Sequence, residues 1–152
     1  MSDTFSIKID IPSDNDGFVL LQCPLCGAFF KVKADDYEDE GVLELYCPEC
    51  GLCADSYFTE DVIKLAMAMA KNLAVDLINN EMKKFERSFK GKGISFKADK
   101  SAKREYEQPI YATIDALDIK YFECCKKEAK IKPLLKICGY YCPFCGVKYF
   151  EN

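Results

Sequence analysis

Histidine and tryptophan are absent from the 152-residue chain. The first absence removes the commonest general base and the commonest nitrogen ligand for metal ions, so any metal centre here has to be built from sulfur. No apolar run is long enough to cross a bilayer. Met1-Ser2-Asp3-Thr4 has neither the positive flank nor the apolar core of a secretion signal, and the reading is a cytoplasmic protein with no membrane association. Glycine-rich phosphate loops, paired-carboxylate motifs and Ser/His/Asp sets are also missing, so neither an enzyme nor a small-molecule substrate is expected.

Cysteine, in contrast, is abundant, with ten residues. Cys-Pro-X-Cys-Gly occurs three times, as Cys23-Pro24-Leu25-Cys26-Gly27, Cys47-Pro48-Glu49-Cys50-Gly51 and Cys142-Pro143-Phe144-Cys145-Gly146. Each is a tight turn that aims two sulfurs at one point, and two such turns facing each other supply a tetrahedron of thiolates. A disulfide inside so short a turn is strained, so the spacing favours metal over cystine. The glycine after each second cysteine suits a position needing positive φ.

Cys23, Cys26, Cys47 and Cys50 form one expected ligand set, with 20 residues between Cys26 and Cys47. The second set takes Cys142 and Cys145 with Cys124 and Cys125, with 16 residues between Cys125 and Cys142. Adjacent side chains of an extended strand diverge, so this pair reaches one ion only if the chain bends sharply between them. Cys138 competes for a place in that set, and an empty second site is the other alternative. Cys53 reads as a small buried residue.

Hydrophobic residues make up 49% and charged residues 30%, the balance of a globular chain of one compact domain or two small lobes. The formal charge is -4, and two zinc ions held by eight thiolates would take it to about -8. Residues 1–60 hold 3 basic and 13 acidic residues, and the rest hold 18 and 12. Residues 83–104 hold nine basic residues against two acidic ones: Lys83, Lys84, Arg87, Lys90, Lys92, Lys97, Lys100, Lys103 and Arg104, with Phe85, Phe89 and Phe96 interleaved. Such a segment either binds nucleic acid or forms a solvated helix end.

Alternation of Phe5, Ile7, Ile9 and Ile11 predicts a strand, as do Phe18–Gln22, Phe29–Lys33, Val42–Tyr46 and Ile110–Phe122. Lys130–Lys132 and Val147–Tyr149 fit the arms of a further hairpin. Thr59 is a candidate N-cap for a helix over 60–90 that contains no Gly or Pro and ends at Gly91. The apolar first half of this helix is expected to be buried, under the N-terminal sheet or against a partner, and Ile78, Met82, Phe85 and Phe89 form a stripe expected in a core.

The stretch Cys23–Gly51 resembles the zinc ribbon superfamily of rubredoxin-like ribbons, and Phe122–Phe150 is similar to a second, divergent member. The resemblance implies Zn²⁺, two ions per chain, held by Cys23, Cys26, Cys47 and Cys50 and by Cys124, Cys125, Cys142 and Cys145. The expected fold is α+β, two small zinc-ribbon β-lobes flanking one long central helix. The expected segments are 1–58 (N-terminal β region with its ribbon), 59–91 (helix), 92–109 (basic linker) and 110–152 (C-terminal ribbon). Ribbons serve unrelated machines, so function stays open at this point. A non-catalytic adaptor with a protein partner or a second copy leads. The alternatives are nucleic-acid binding through the basic segment and, as a minor one, a rubredoxin-like electron carrier.

Overall fold

The computed structural model describes residues 4–91, 93, 103–110, 114 and 116–151. By internal packing the chain divides into two units, one of Ile63–Pro109 with the chain up to Ile9, the other of Asp10–Val62 with Ile110–Asn152. The class is α+β, as expected: a long helix lies in the chain between two small antiparallel β regions. Among the described residues no helix is long and apolar enough to cross a membrane.

In the β unit, β1 (Phe18–Gln22) and β2 (Phe29–Lys33) form an antiparallel hairpin whose register runs from Phe18↔Lys33 to Gln22↔Phe29, which puts the first cysteine turn at its tip. A short helix α1 (Ala34–Tyr37) follows. The C-terminal half repeats the plan with β3 (Asp118–Phe122) and β4 (Lys127–Ile131), paired from Asp118↔Ile131 to Phe122↔Lys127. After β4 comes the short helix α3 (Leu135–Cys138). β2 and β4 then pair antiparallel at Lys31↔Lys130 and Val32↔Ala129, giving one sheet in the order β1-β2-β4-β3. The two hairpins, which lie on either side of the helix in the chain, therefore meet in one sheet through β2 and β4.

β5 (Tyr140–Tyr141) and β6 (Lys148–Tyr149) form a second small sheet around the third cysteine turn. Beneath the sheets both halves supply one core, with Leu21, Phe30 and Val32 from the first and Phe122, Ile131 and Tyr140 from the second. Burying each such side chain contributes about 1.5–3 kcal/mol. Tyr57 is buried in this core, its Oη donating to Leu45 O at 2.6 Å and accepting from Ala54 N at 3.0 Å. Burial pushes its hydroxyl up to about 12.

Several expected strands are not formed. Residues 4–11 have no ladder, and Phe5 and Ile7 are exposed. Alternation makes a segment competent for pairing, but the outer side of β1 is occupied by the Ser13↔Val19 bridge and by Gln22 N donating to Tyr57 O. Val42–Tyr46 contributes only the bridge Tyr46↔Cys53, because Tyr46 N donates instead to Pro143 O. The expected strand over 110–122 is reduced to Asp118–Phe122, with residues 111–113 and 115 outside those described. The expected hairpin of Lys130–Lys132 with Val147–Tyr149 is replaced by two pairings: β4 lies between β2 and β3, and β6 pairs with β5.

α2 (Glu60–Phe89), which lies in the other unit from Ile63 onward, runs for 30 residues, about 45 Å. Glu60 and Asp61 occupy its first turn, where acids favour the dipole, and Gly91 (φ +98°) follows its end. Thr59 does not cap it, since its Oγ1 is buried without a hydrogen-bond partner. Asn72, 2% exposed, holds residues 105–107 against the helix: Nδ2 donates to Glu105 O at 2.8 Å and to Glu107 Oε1 at 2.9 Å, and Oδ1 accepts from Glu105 N at 2.6 Å. Within the single chain only part of the expected burial of the helix is seen. Val62 and Ala68 are buried, but Ile63 is 46% exposed, Met67 57%, Ile78 56% and Phe85 50%. Of the stripe read as core, Ile78, Met82 and Phe85 are exposed and Phe89 is half-buried.

Candidate metal centres

All three Cys-Pro-X-Cys-Gly turns close in the same way. The glycine N donates back to the first cysteine's carbonyl, Gly27 to Cys23 at 2.9 Å, Gly51 to Cys47 at 2.8 Å and Gly146 to Cys142 at 2.8 Å. That closure requires left-handed backbone, and the three glycines have φ of +77°, +73° and +75°. The first cysteine's N then donates across the turn, Cys23 to Ala28 O, Cys47 to Leu52 O and Cys142 to Val147 O.

Folding brings Cys23, Cys26, Cys47 and Cys50 together, with all four Sγ atoms within 4.8 Å of one another. Cys23 and Cys50 Sγ lie 3.9 Å apart, and Cys26 and Cys47 Sγ 3.5 Å. A tetrahedral zinc with 2.3 Å bonds to sulfur needs S···S edges of about 3.8 Å. Glu49 N and Cys50 N donate to Cys47 Sγ at 3.4 and 3.5 Å, which favours its thiolate once a cation is near.

Cys124, Cys125, Cys142 and Cys145 form the second cluster on the same criterion, with Cys145 and Cys124 Sγ 3.4 Å apart. The adjacent pair converges because Glu123–Lys126 is a four-residue turn between β3 and β4. Lys126 has φ +54° and takes the left-handed position that Gly27 fills after Cys26. Tyr149 Oη accepts from Cys124 N at 3.2 Å and braces this turn. Cys138, the competitor for this set, lies exposed on α3 outside the cluster. Cys53 is exposed rather than buried, again outside either cluster.

The thiols within each cluster are not equivalent. Burial pushes Cys47 and Cys142 up, outweighing their backbone N–H donors, and pushes Cys125 up to about 11. Cys23 is lowered: burial opposes this, but N–H groups of Cys26 and Leu25 outweigh it. Cys124 is lowered likewise, where the Tyr149 hydroxyl and the neighbouring thiols outweigh burial. A divalent cation among four thiols packed this closely favours their ionised forms together. Both clusters could therefore hold a metal ion.

The basic segment is less coherent than its composition suggested. Lys84 pairs with Glu81 at 2.8 Å, and Arg104 pairs with Asp76 at 3.4 Å. Lys83, Arg87, Lys90 and Lys103 are exposed, and Lys92, Lys97 and Lys100 lie outside the described residues. Phe85 and Phe89 pack on each other with ring centroids 4.5 Å apart, and Phe96 lies outside the described residues.

No family model, curated protein or solved structure matches this chain.

Proposed function

We propose that this chain is a non-catalytic, cytoplasmic zinc-binding adaptor, in which two zinc ions fix the β unit and α2 presents an apolar face to a protein partner or a second copy. Zinc suits both clusters because four soft thiolates at tetrahedral spacing match its preferences. Four protein ligands leave no open position for water, the arrangement of a structural rather than a catalytic centre. The reducing cytoplasm keeps the ligands as thiols until metal arrives.

The exposed face of α2 carries the interaction reading. Ile63, Met67, Ile78 and Met82 stand out along one helix. Several large apolar side chains exposed on one helix mark a contact surface, whereas a single one does not. The exposed methionines add a surface that adapts to its partner.

A photo-crosslinking residue placed at Ile78 tests this in cells. Discrete adducts that disappear in Met67→Glu and persist in a variant altered away from α2 are expected. Absence of any adduct, with a monomer in solution at all concentrations, contradicts the adaptor reading. Salt-sensitive binding of an oligonucleotide at micromolar protein would favour the basic segment instead.

A further inference from the structure

The second and third cysteine turns are joined to each other. Tyr46 N donates to Pro143 O at 2.8 Å, and Tyr141 N donates to Pro48 O at 2.9 Å. Each acceptor carbonyl belongs to the residue between two ligands, Pro48 between Cys47 and Cys50, and Pro143 between Cys142 and Cys145. The rings follow the same exchange. A Cβ on Gly146 would meet the Tyr46 ring at 3.1 Å, and one on Gly51 would meet the Tyr141 ring at 2.7 Å. The tyrosine that precedes each turn therefore lies over the glycine that closes the other. Beneath the joint, Cys47 and Cys142 are fully buried in the same core cluster. At its edge Lys132, just after β4, pairs with Glu49 inside the second turn at 3.1 Å.

From this geometry we infer that the two centres load as a pair: an ion in either one orders the ligand turn of the other. The inference rests on the reading that both clusters hold metal. A turn fixed by its ion presents a fixed carbonyl and a glycine cleft to the facing tyrosine. That tyrosine begins the opposite turn, so the second ion meets ligands already held in place. The ordering that the first ion completes is not repeated for the second. Coupling of this kind is reciprocal, and a span of about 5–150-fold in affinity is typical of coupled sites. It also accounts for how Cys124-Cys125, with neither the proline nor the glycine of the other turns, sits in a working ligand set: its partner turn is braced from the first ribbon.

The test is native mass spectrometry of the full reduced chain with one equivalent of Zn²⁺. Metal-free and doubly loaded species are expected, with the singly loaded form below its share for two independent sites. Tyr46→Ala/Tyr141→Ala is expected to hold two ions while recovering the singly loaded form. A singly loaded share at or above the independent value in the unaltered chain overturns the coupling and leaves metal binding standing. Failure to retain any ion in excess Zn²⁺ sinks both. Cys145→Ser gives a second measurement that does not depend on the tyrosine variant folding. Competition with a chromophoric chelator is expected to show the first centre weakened by about 5–150-fold, and an unchanged affinity overturns the inference.

Discussion

Lys31 and Lys130 face each other across the β2–β4 ladder, an arrangement of like charges that destabilises a sheet on its own. Asp14 Oδ2 lies between their ammonium groups, 3.2 Å from Lys31 and 2.6 Å from Lys130, while Oδ1 accepts from the N–H groups of Asp16 and Phe18. Burial opposes ionisation of Asp14, but these donors outweigh it and hold the carboxyl well below its ordinary 3.8. A depressed folded value contributes stability that is full above the ordinary value and is lost as pH falls through the depressed one. Lys31 is only 5% exposed, so Asp14→Asn leaves a buried cation without its counter-charge. We expect a loss of about 2–3 kcal/mol at neutral pH, less than for a fully buried pair because Asp14 keeps some contact with water. Urea denaturation of the metal-loaded protein at neutral pH checks this: a lower midpoint in Asp14→Asn is expected, and an unchanged midpoint would contradict the assignment. Lys126 gives a second residue-scale prediction. A side chain at positive φ costs about 1–2 kcal/mol, so Lys126→Gly should stabilise the loaded protein by roughly 1 kcal/mol and Lys126→Val should weaken the second centre. Equal metal affinity in the two variants would show that the backbone at 126 is not strained.

At the scale of elements, the three cysteine turns were legible because their geometry is set locally, by proline after the first ligand and glycine after the second. The helix over 60–89 was legible for a related reason, since thirty residues without Gly or Pro leave few other options. Strand partners were not, because a ladder depends on which edges are free. Phe5–Ile11 alternates as well as any segment of the chain, yet the outer side of β1 was already taken by Ser13 and Tyr57. The role of Lys126 was hidden too, since lysine carries no signal for positive φ. Nor was the docking of residues 103–107 on α2 visible, because it depends on one buried amide, Asn72, rather than on any pattern. Asn72→Ala removes the three hydrogen bonds that hold Glu105 and Glu107. Limited proteolysis should then cut residues 103–109 several times faster while both metal centres stay loaded, and an unchanged cleavage rate would contradict this role for Asn72.

For the whole molecule, the uneven charge of the sequence acquires a structural explanation. The acidic first half meets lysines of β4 and the residue after it: Lys127 with Asp39 at 2.5 Å and Asp36 at 3.6 Å, Lys130 with Asp14 and Asp16, and Lys132 with Glu49. Lys33 of β2 returns the exchange with Glu128 at 2.9 Å. The exposed pairs each contribute little, but together they bias the two halves toward this one pairing and not toward self-association of like halves. Most depends on the two sulfur clusters being metal centres that hold the β unit together. Metal analysis and native mass spectrometry of freshly purified, reduced protein, with near-UV circular dichroism before and after a strong chelator, test that directly. Two zinc ions per chain, and loss of the tyrosine signal from the β unit on chelation, are predicted. A chain that carries no metal and keeps its near-UV spectrum in the chelator would contradict it.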